Sequence, residues 1–420
     1  MKRRGFIQLS ALAGGGLLSG LSACEPKETA TQQPKALASM ADTVQPITVE
    51  ERLNRIKKAQ GLMRDKNIGT LVLDCGTSMK YFTGVEWWPS ERTLLAIIPA
   101  NGAVTYVCPA FEKDRLQEQV TVGKDIAVWE EDESPYALTA SLFTSMGLRS
   151  GSIGLEEQVR FFIADGLRKA APAFDFVSGD PISIPCRIIK SPAEIQLMQT
   201  ANNITIAAIQ YAVSQLTEGM SQQDLSAMIM RAQNELGGHA DFALCLFGKA
   251  SAFPHGTKVP QQLKKGDIVL MDCGCSVEGY KSDITRTVVF GEPSKRQREI
   301  WNLEKEAQAA GFRAAQLGAT GEAVDAAARL LIVAAGFGPG YQLPGLPHRT
   351  GHGIGMDGHE WGNMVKGNTA LLEPGMCFSI EPTIAIPGEF GIRFEDCVYM
   401  TEKGPRWFTQ PGKSIEEPFG

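Results

Sequence analysis

The chain has 420 residues and a formal net charge of −6, with 41 Lys and Arg against 47 Asp and Glu. That length accommodates two domains with a sizeable core, and the acidic balance argues against nucleic acid as a partner. The 43% hydrophobic share is ordinary for a soluble protein, and beyond the N-terminus no stretch is long and apolar enough to span a bilayer.

The N-terminus stands apart from the rest. Lys2, Arg3, Arg4, Gly5 and Phe6 open the chain, and an apolar, glycine-rich run over 7–23 follows, too short for a stable spanning helix. The run ends in Leu21-Ser22-Ala23-Cys24, which resembles a lipobox, with Cys24 as the acylated residue. The paired arginines resemble a twin-arginine export signal, with a general secretory signal and coincidental arginines as the alternative. Residues 1–24 therefore imply the twin-arginine export machinery as a partner and a periplasmic-side, membrane-anchored lipoprotein. Residues 25–47, rich in Thr, Gln, Pro, Ala and Lys, read as a flexible tether to the membrane surface. The other eight cysteines, Cys75, Cys108, Cys186, Cys245, Cys273, Cys275, Cys377 and Cys397, form no CxxC pair and sit mostly in apolar runs, so buried thiols are expected.

Residues 48–184 alternate between helical and strand patterns. A helix is expected over 50–66, strands over 70–74, 93–99 and 103–109, and helices near 111–119, 135–146 and 157–171. This predicts a smaller α/β domain on a mixed sheet, without histidine or a phosphate-binding loop. Trp87 and Trp88 lie on a loop within this domain, just after Tyr81-Phe82-Thr83-Gly84; either one is buried and one covers the loop, or the pair lids a pocket of the second domain or of a partner subunit.

Residues 185–420 read as a duplicated unit. After a turn near 180–189, Ser191, Pro192 and Glu194 form a capping box ahead of a long helix. A second helix starts at Ser221 and Asp224, followed by strands carrying Asp272 and Asp283. The order repeats: Ser294 caps a helix, another runs over about 321–335, a loop holds His348 and His352, and strands carry Glu381 and Glu395. Each acid pair brackets a turn. Two halves related by a pseudo-twofold would face four carboxylates and His352 into one cleft, an oxygen-rich set suited to hard divalent cations.

Three stretches, IVLMDCGCSVEGYKSDITRTVVFG, TGHGIGMDGHE and FSIEPTIAIPGEFGIRFEDCVYMTEKG, resemble the pita-bread metallopeptidases. The first domain, with YFTG and RIIKSPAEIQLMQTA, resembles the creatinase-type N-terminal domain of the prolidase and aminopeptidase P branch. The resemblance implies an α+β pita-bread catalytic domain with internal pseudo-twofold duplication, preceded by the smaller α/β domain. It implies a hydrolase cleaving Xaa-Pro bonds in dipeptides or short proline-containing peptides, as a homodimer. Asp283 and Glu395 would bridge two divalent ions, Asp272 completing one site and His352 with Glu381 the other. Manganese suits this set best, with cobalt, zinc or iron also compatible, and a shared hydroxide would be the nucleophile. Glu381 would be its general base and Thr285 a supporting group. His255, His348, His359 and Arg393 would serve the scissile carbonyl and the proline side, whereas His239 matches nothing and reads as a surface residue.

Two positions depart from the family pattern. HExP reads His359-Glu360-Trp361-Gly362, and EPG reads Glu381-Pro382-Thr383. They suggest that Trp361 reshapes the substrate wall. They leave open a lyase or small-amide hydrolase on the same metal centre; a lipid-anchored solute-binding protein is the alternative of another class.

Overall fold

The computed structural model of the protein describes residues 37–420. The expected export signal, Cys24 and the first part of the tether lie outside the described residues. The last part of the expected tether is packed, not free. Met40 N–H donates to the Leu236 carbonyl at 2.8 Å, Leu37, Ala41 and Val44 lie on the main core, and Ile47 is buried. Apolar side chains scattered among polar ones are enough to hold it down.

The first domain begins with α1 (Val49–Asp65), whose N-cap Thr48 accepts from Glu51 N–H. There follow β1 (Ile68–Asp74), α2 (Thr77–Thr83), β2 (Leu95–Pro99), β3 (Thr105–Pro109), α3 (Lys113–Gln117), β4 (Asp125–Trp129), α4 (Pro135–Ser145), β5 (Gly151–Leu155), α5 (Phe161–Ala170), β6 (Phe174–Ser178) and α6 (Asp180–Arg187). The sheet order is β4-β3-β2-β1-β5-β6. β2 is antiparallel to β1 and β3, and the outer pairs are parallel, which makes it the expected mixed sheet. Three strands escape the sequence pattern because DIAVW, GSIGL and FDFVS are short, half-exposed and interrupted by Asp or Gly. The expected turn near 180–189 is largely helix: Pro181 falls in the first turn, where no N–H is needed, and Pro185 removes only one bond from a short helix. The helix spans the expected domain boundary at 184/185.

The second domain repeats its order as expected. The first half comprises α7 (Pro192–Ser214), α8 (Gln222–Glu235), β7 (His239–Phe247), β8 (Ile268–Val277), β9 (Tyr280–Lys281) and β10 (Ile284–Val289). The second comprises α9 (Lys295–Ala314), α10 (Gly321–Ala334), β11 (Gly351–Gly353), β12 (Glu360–Met364), β13 (Cys377–Ile380), β14 (Thr383–Ile386), β15 (Phe390–Arg393), β16 (Asp396–Thr401) and β17 (Gly404–Trp407). Capping boxes close α7, α8 and α9 through Ser191–Glu194, Ser221–Asp224 and Ser294–Gln297. The sheets run β10-β8-β7 and β12-β11-β13-β16-β17, with β14-β15 a separate hairpin. All eight cysteines expected as buried thiols are buried and unpaired.

The two domains are joined by buried charge. Arg187, at the end of α6, donates to Glu360 and Asp357, both at 2.7 Å, and to Ser78 at 3.1 Å. Lys190 donates to the other Glu360 oxygen at 2.7 Å, and Thr77 of the first domain reaches Asp357. Burial alone would raise the Glu360 carboxyl, but Lys190 and Arg187 hold it below its ordinary range. Glu360 also accepts from the Met356 and Asp357 N–H groups, which fixes the loop leading to His359. Glu360→Ala is expected to cost about 3–5 kcal/mol in urea unfolding, because two buried cations lose their shared partner. A loss below about 1 kcal/mol would show that the network adds little to the domain junction.

Candidate metal centre

Asp272 lies within β8, opposite Thr285 of β10. The chain reverses between them through Glu278 and Gly279, both at positive φ (52° and 86°), a two-residue turn that matches the twist of paired strands. Asp283 sits just before β10. Glu381 and Glu395 flank the β14–β15 hairpin, as the spacing predicts. Thr285 and Glu395 exchange both backbone hydrogen bonds, each at 3.2 Å, and so stitch the two halves together at the site itself. His352 occupies the middle of β11, pinched between two neighbouring strands. A Cβ on Gly351 would overlap the Ser379 carbonyl oxygen, and one on Gly353 that of Trp361, so glycine is required on both sides.

The five side chains converge. His352 Nε2 lies 3.1 Å from Glu381 Oε1, 3.7 Å from Asp283 Oδ2 and 3.8 Å from Glu395 Oε1. One oxygen each from Asp272, Asp283 and Glu395 lie within 4.8 Å of one another, and the same holds for donor atoms of His352, Glu381 and Glu395. Burial, reinforced by the neighbouring carboxylates, pushes Asp283 and Glu395 well above their ordinary values. Burial also raises Asp272, against the pull of Arg393. Burial opposes ionisation of Glu381 too, but His352 beside it brings the carboxyl down to about 2. Asp272 Oδ1 and Glu395 Oε1 are buried without a hydrogen-bond partner. Orphaned, mutually repelling oxygens around one imidazole fit divalent cations, which would satisfy the lone pairs and offset the charge together.

A cavity of about 830 Å³ opens over these residues and is also lined by His255, His348, His359, Arg393 and Arg349. All the expected site residues among the described ones meet there, but not with equal freedom. Arg393 is buried and donates to Asp272, to Thr285 Oγ1 at 3.1 Å and to the Pro254 carbonyl at 3.1 Å. Thr285 Oγ1 in turn donates to Glu395 at 2.8 Å, the expected supporting contact. His348 has both ring nitrogens engaged. Nδ1 donates to the Arg349 carbonyl at 2.7 Å, and Nε2 lies 3.0 Å from Thr383 Oγ1. Burial lowers its pKa, so the neutral ring accepts from the Thr383 hydroxyl. His359 is exposed, with its ring tilted against His352 at 4.1 Å between centroids. Partial desolvation of the ring where it packs against the cavity wall, then the charges of His352 and Arg349, lower its pKa to about 4.

Trp361 does not line the cavity, contrary to expectation. Its Nε1 donates to Glu157 of the first domain at 3.1 Å and its ring lies under Arg187, because β12 turns this face toward the domain junction. Of the tryptophan pair, Trp88 is 83% exposed and Trp87 packs against Arg115. Both border a separate cavity between the two domains. His239 is exposed at the start of β7, as expected. Arg349 drew no notice in the sequence; the only signal was its place between two singled-out histidines.

Two α/β-containing domains, the second a duplicated unit closing four carboxylates and an imidazole beneath a cavity, define a pita-bread metallopeptidase. Residues 196–402 match metallopeptidase family M24, and residues 55–189 match the creatinase/prolidase N-terminal domain. The chain is 31% identical over 366 residues to an Xaa-Pro dipeptidase of Lactobacillus helveticus, covering 86% of this chain and 98% of that protein. It is similar in structure to a prolidase from Thermococcus sibiricus (TM-score 0.78, 29% identity, covering 86% and 97% of the two chains). It is likewise similar to the dipeptidase PepE from Mycobacterium ulcerans (TM-score 0.80, 29% identity, covering 88% and 98%). The chain belongs to metallopeptidase family M24, and it is a peptidase of that family.

The raised carboxyls predict how the protein melts. Asp283 and Glu395 bind protons more tightly folded than unfolded, so the stability they lend is present in acid and is lost as pH rises through their raised values. In chelator, the melting temperature is expected to fall between about pH 5 and pH 8. With added Mn²⁺ the loss should be offset, so the gap between the two melting curves widens with pH. A gap that stays constant would show that these carboxylates do not hold the ion.

Proposed function

We propose that the protein is an Xaa-Pro peptidase of the dipeptidase type that works with two divalent metal ions. The observation that carries the reading is the convergence of Asp272, Asp283, His352, Glu381 and Glu395, with orphaned oxygens, beneath a peptide-sized cavity. Its curated relative from Lactobacillus helveticus is an Xaa-Pro dipeptidase. Asp283 and Glu395, central to the cluster, would be shared between the ions. Asp272 would complete one site, and His352 with Glu381 the other. The oxygen-rich donor set favours manganese over softer ions.

Bound divalent cations supply Lewis acidity toward the scissile carbonyl and lower the pKa of water at the site. The chain's own residues do the rest. Glu381, ionised across the working pH range, accepts the proton that attacking water gives up. Arg393 acts through Asp272 and Thr285, holding both in place. His255 and His359 face the cavity, and His359, neutral at pH 7, can donate an N–H to the developing oxyanion without adding charge. His348, bonded on both nitrogens within the chain, braces the wall instead. Nothing observed favours a lyase or amide hydrolase, since Trp361 and Thr383 stand outside the cavity lining. The export signal and Cys24 anchor would set this activity on the periplasmic side. Labelling with a fatty-acid analogue, absent from Cys24→Ala, checks the anchor, and size-exclusion chromatography with light scattering checks the homodimer.

The test is a peptide panel with Mn²⁺. Ala-Pro and Gly-Pro are expected to be cleaved, and Ala-Ala poorly. Asp283→Ala and Glu395→Ala should each lower kcat/KM by at least about a thousandfold, since each removes a shared ligand. Near-normal turnover in either variant, or no cleavage of any Xaa-Pro peptide by the wild type, would sink the reading.

A further inference from the structure

Helix α9 turns one face toward the strands that carry the two glutamates of the cluster. Trp301, Glu304 and Gln308 follow one another at helical spacing along that face, and all three are buried. Trp301 Nε1 donates to the Thr287 carbonyl at 3.1 Å. Gln308 Nε2 donates to the Ile380 carbonyl at 3.3 Å and to Asp396 at 3.0 Å, the residues just before Glu381 and just after Glu395. Glu304 lies between them, sealed from solvent, and neither of its carboxyl oxygens meets full hydrogen-bond geometry with any described residue.

A carboxyl in that place is costly for the fold. Withdrawing it from water without a strong partner is unfavourable, and an apolar side chain would fill the same space at lower cost. Among the described residues no cation pairs with it. Arg393, whose charge is felt there, is committed to Asp272, Thr285 and Pro254. Burial therefore pushes the Glu304 carboxyl well above its ordinary value and favours its uncharged form. What it faces is a backbone donor, the Phe394 N–H, close enough to act on the carboxyl.

That donor has nowhere else to go. In the run Arg393-Phe394-Glu395 the outer two N–H groups are taken, the first by the Thr287 hydroxyl and the last by the Thr285 carbonyl, both at 3.2 Å. The Phe394 N–H finds no backbone acceptor among the described residues, because β15 leaves its hairpin at Arg393 and β16 begins only at Asp396. A buried N–H left without an acceptor is rare and unfavourable. The Phe394 ring packs edge-on against Trp301, 4.6 Å between centroids, which keeps this peptide at the surface of α9. The peptide joins Arg393, which holds Asp272, to Glu395, so a tilt of it would displace two members of the metal centre at once. We infer that Glu304 is a positioning residue of the metal centre, accepting from the Phe394 N–H and so fixing the peptide that presents Arg393 and Glu395. This rests on the two-metal reading above and adds to it a residue that stands behind the cavity lining and sets how tightly the ions are held.

The test is a calorimetric titration of the metal-free protein with Mn²⁺, beside melting curves in chelator. Glu304→Gln keeps an uncharged acceptor of the same shape and should bind Mn²⁺ within about twofold of the wild type. Glu304→Leu fills the space without an acceptor and should bind about ten- to a hundredfold more weakly, the range for a lost support behind a ligand. Its turnover of Ala-Pro should fall in step at limiting Mn²⁺ and largely recover at saturating Mn²⁺. A Leu variant that melts lower in chelator yet binds Mn²⁺ like the wild type would show a purely structural role and overturn the proposal. A Gln variant that binds as weakly as the Leu variant would overturn it too, since the acceptor would then not be what counts. Should the Leu variant fail to fold, the Gln variant decides alone by the same twofold limit. A wild type that takes up no Mn²⁺ would overturn the two-metal reading, and this proposal with it.

Discussion

The structure depends on one electrostatic problem: four carboxyl groups gathered in a buried place that cannot keep them all ionised without help. Three are pushed toward protonation, and the fourth stays charged chiefly through His352, with His348 and Arg393 adding to its effect. Such a cluster is unfavourable for a metal-free fold and favourable for one that takes up cations. The scaffold is arranged to bear it. Arg393 neutralises Asp272 from one side, and Thr285 ties Glu395 to the opposite half of the domain. Trp301 of α9 donates to the Thr287 carbonyl and packs edge-on against Phe394, backing the strands that carry Arg393 and Glu395.

The same economy governs the domain junction. Glu360 follows His359 directly, yet it faces away from the cavity and is gripped by Arg187 and Lys190. Neighbouring residues thus serve two ends: His359 faces the cavity, while Glu360 and Trp361 bind the first domain. A second buried network, in which Arg55 and Glu194 meet on the Tyr280 hydroxyl, joins α1, α7 and the turn that follows Asp272. The first domain therefore supports the catalytic loops from behind without contributing a residue to the cavity lining.

How much of this could be read beforehand divides along physical lines. The five convergent side chains were legible because hard ligands in apolar strands, bracketing turns in a repeated order, have few other uses. The capping boxes of α7, α8 and α9 were legible because their chemistry is local. Long-range pairing was not: Arg187 and Glu360 lie 173 residues apart, and nothing in either neighbourhood names the other. Trp361 was misjudged for the same reason, since its partner Glu157 belongs to another domain. Arg349 was missed because what marks it is its place on the cavity wall, a property of the folded arrangement and not of the residue type. The helix α6 was hidden by two prolines that its geometry tolerates, and the packed stretch 37–47 by a composition that looked too polar to settle.

The eight buried thiols carry a consequence for how the protein meets its surroundings. Burial pushes Cys75, Cys108 and Cys377 up to about 12, and holds Cys273 and Cys397 well above the ordinary thiol range. A thiol that neither ionises nor touches solvent reacts slowly with oxidants and alkylating reagents. The described body is thus sulfur-rich yet nearly indifferent to the redox state of its compartment, for as long as it stays folded. Once it opens, eight nucleophiles become available together, so the onset of thiol reactivity serves as a clock for unfolding.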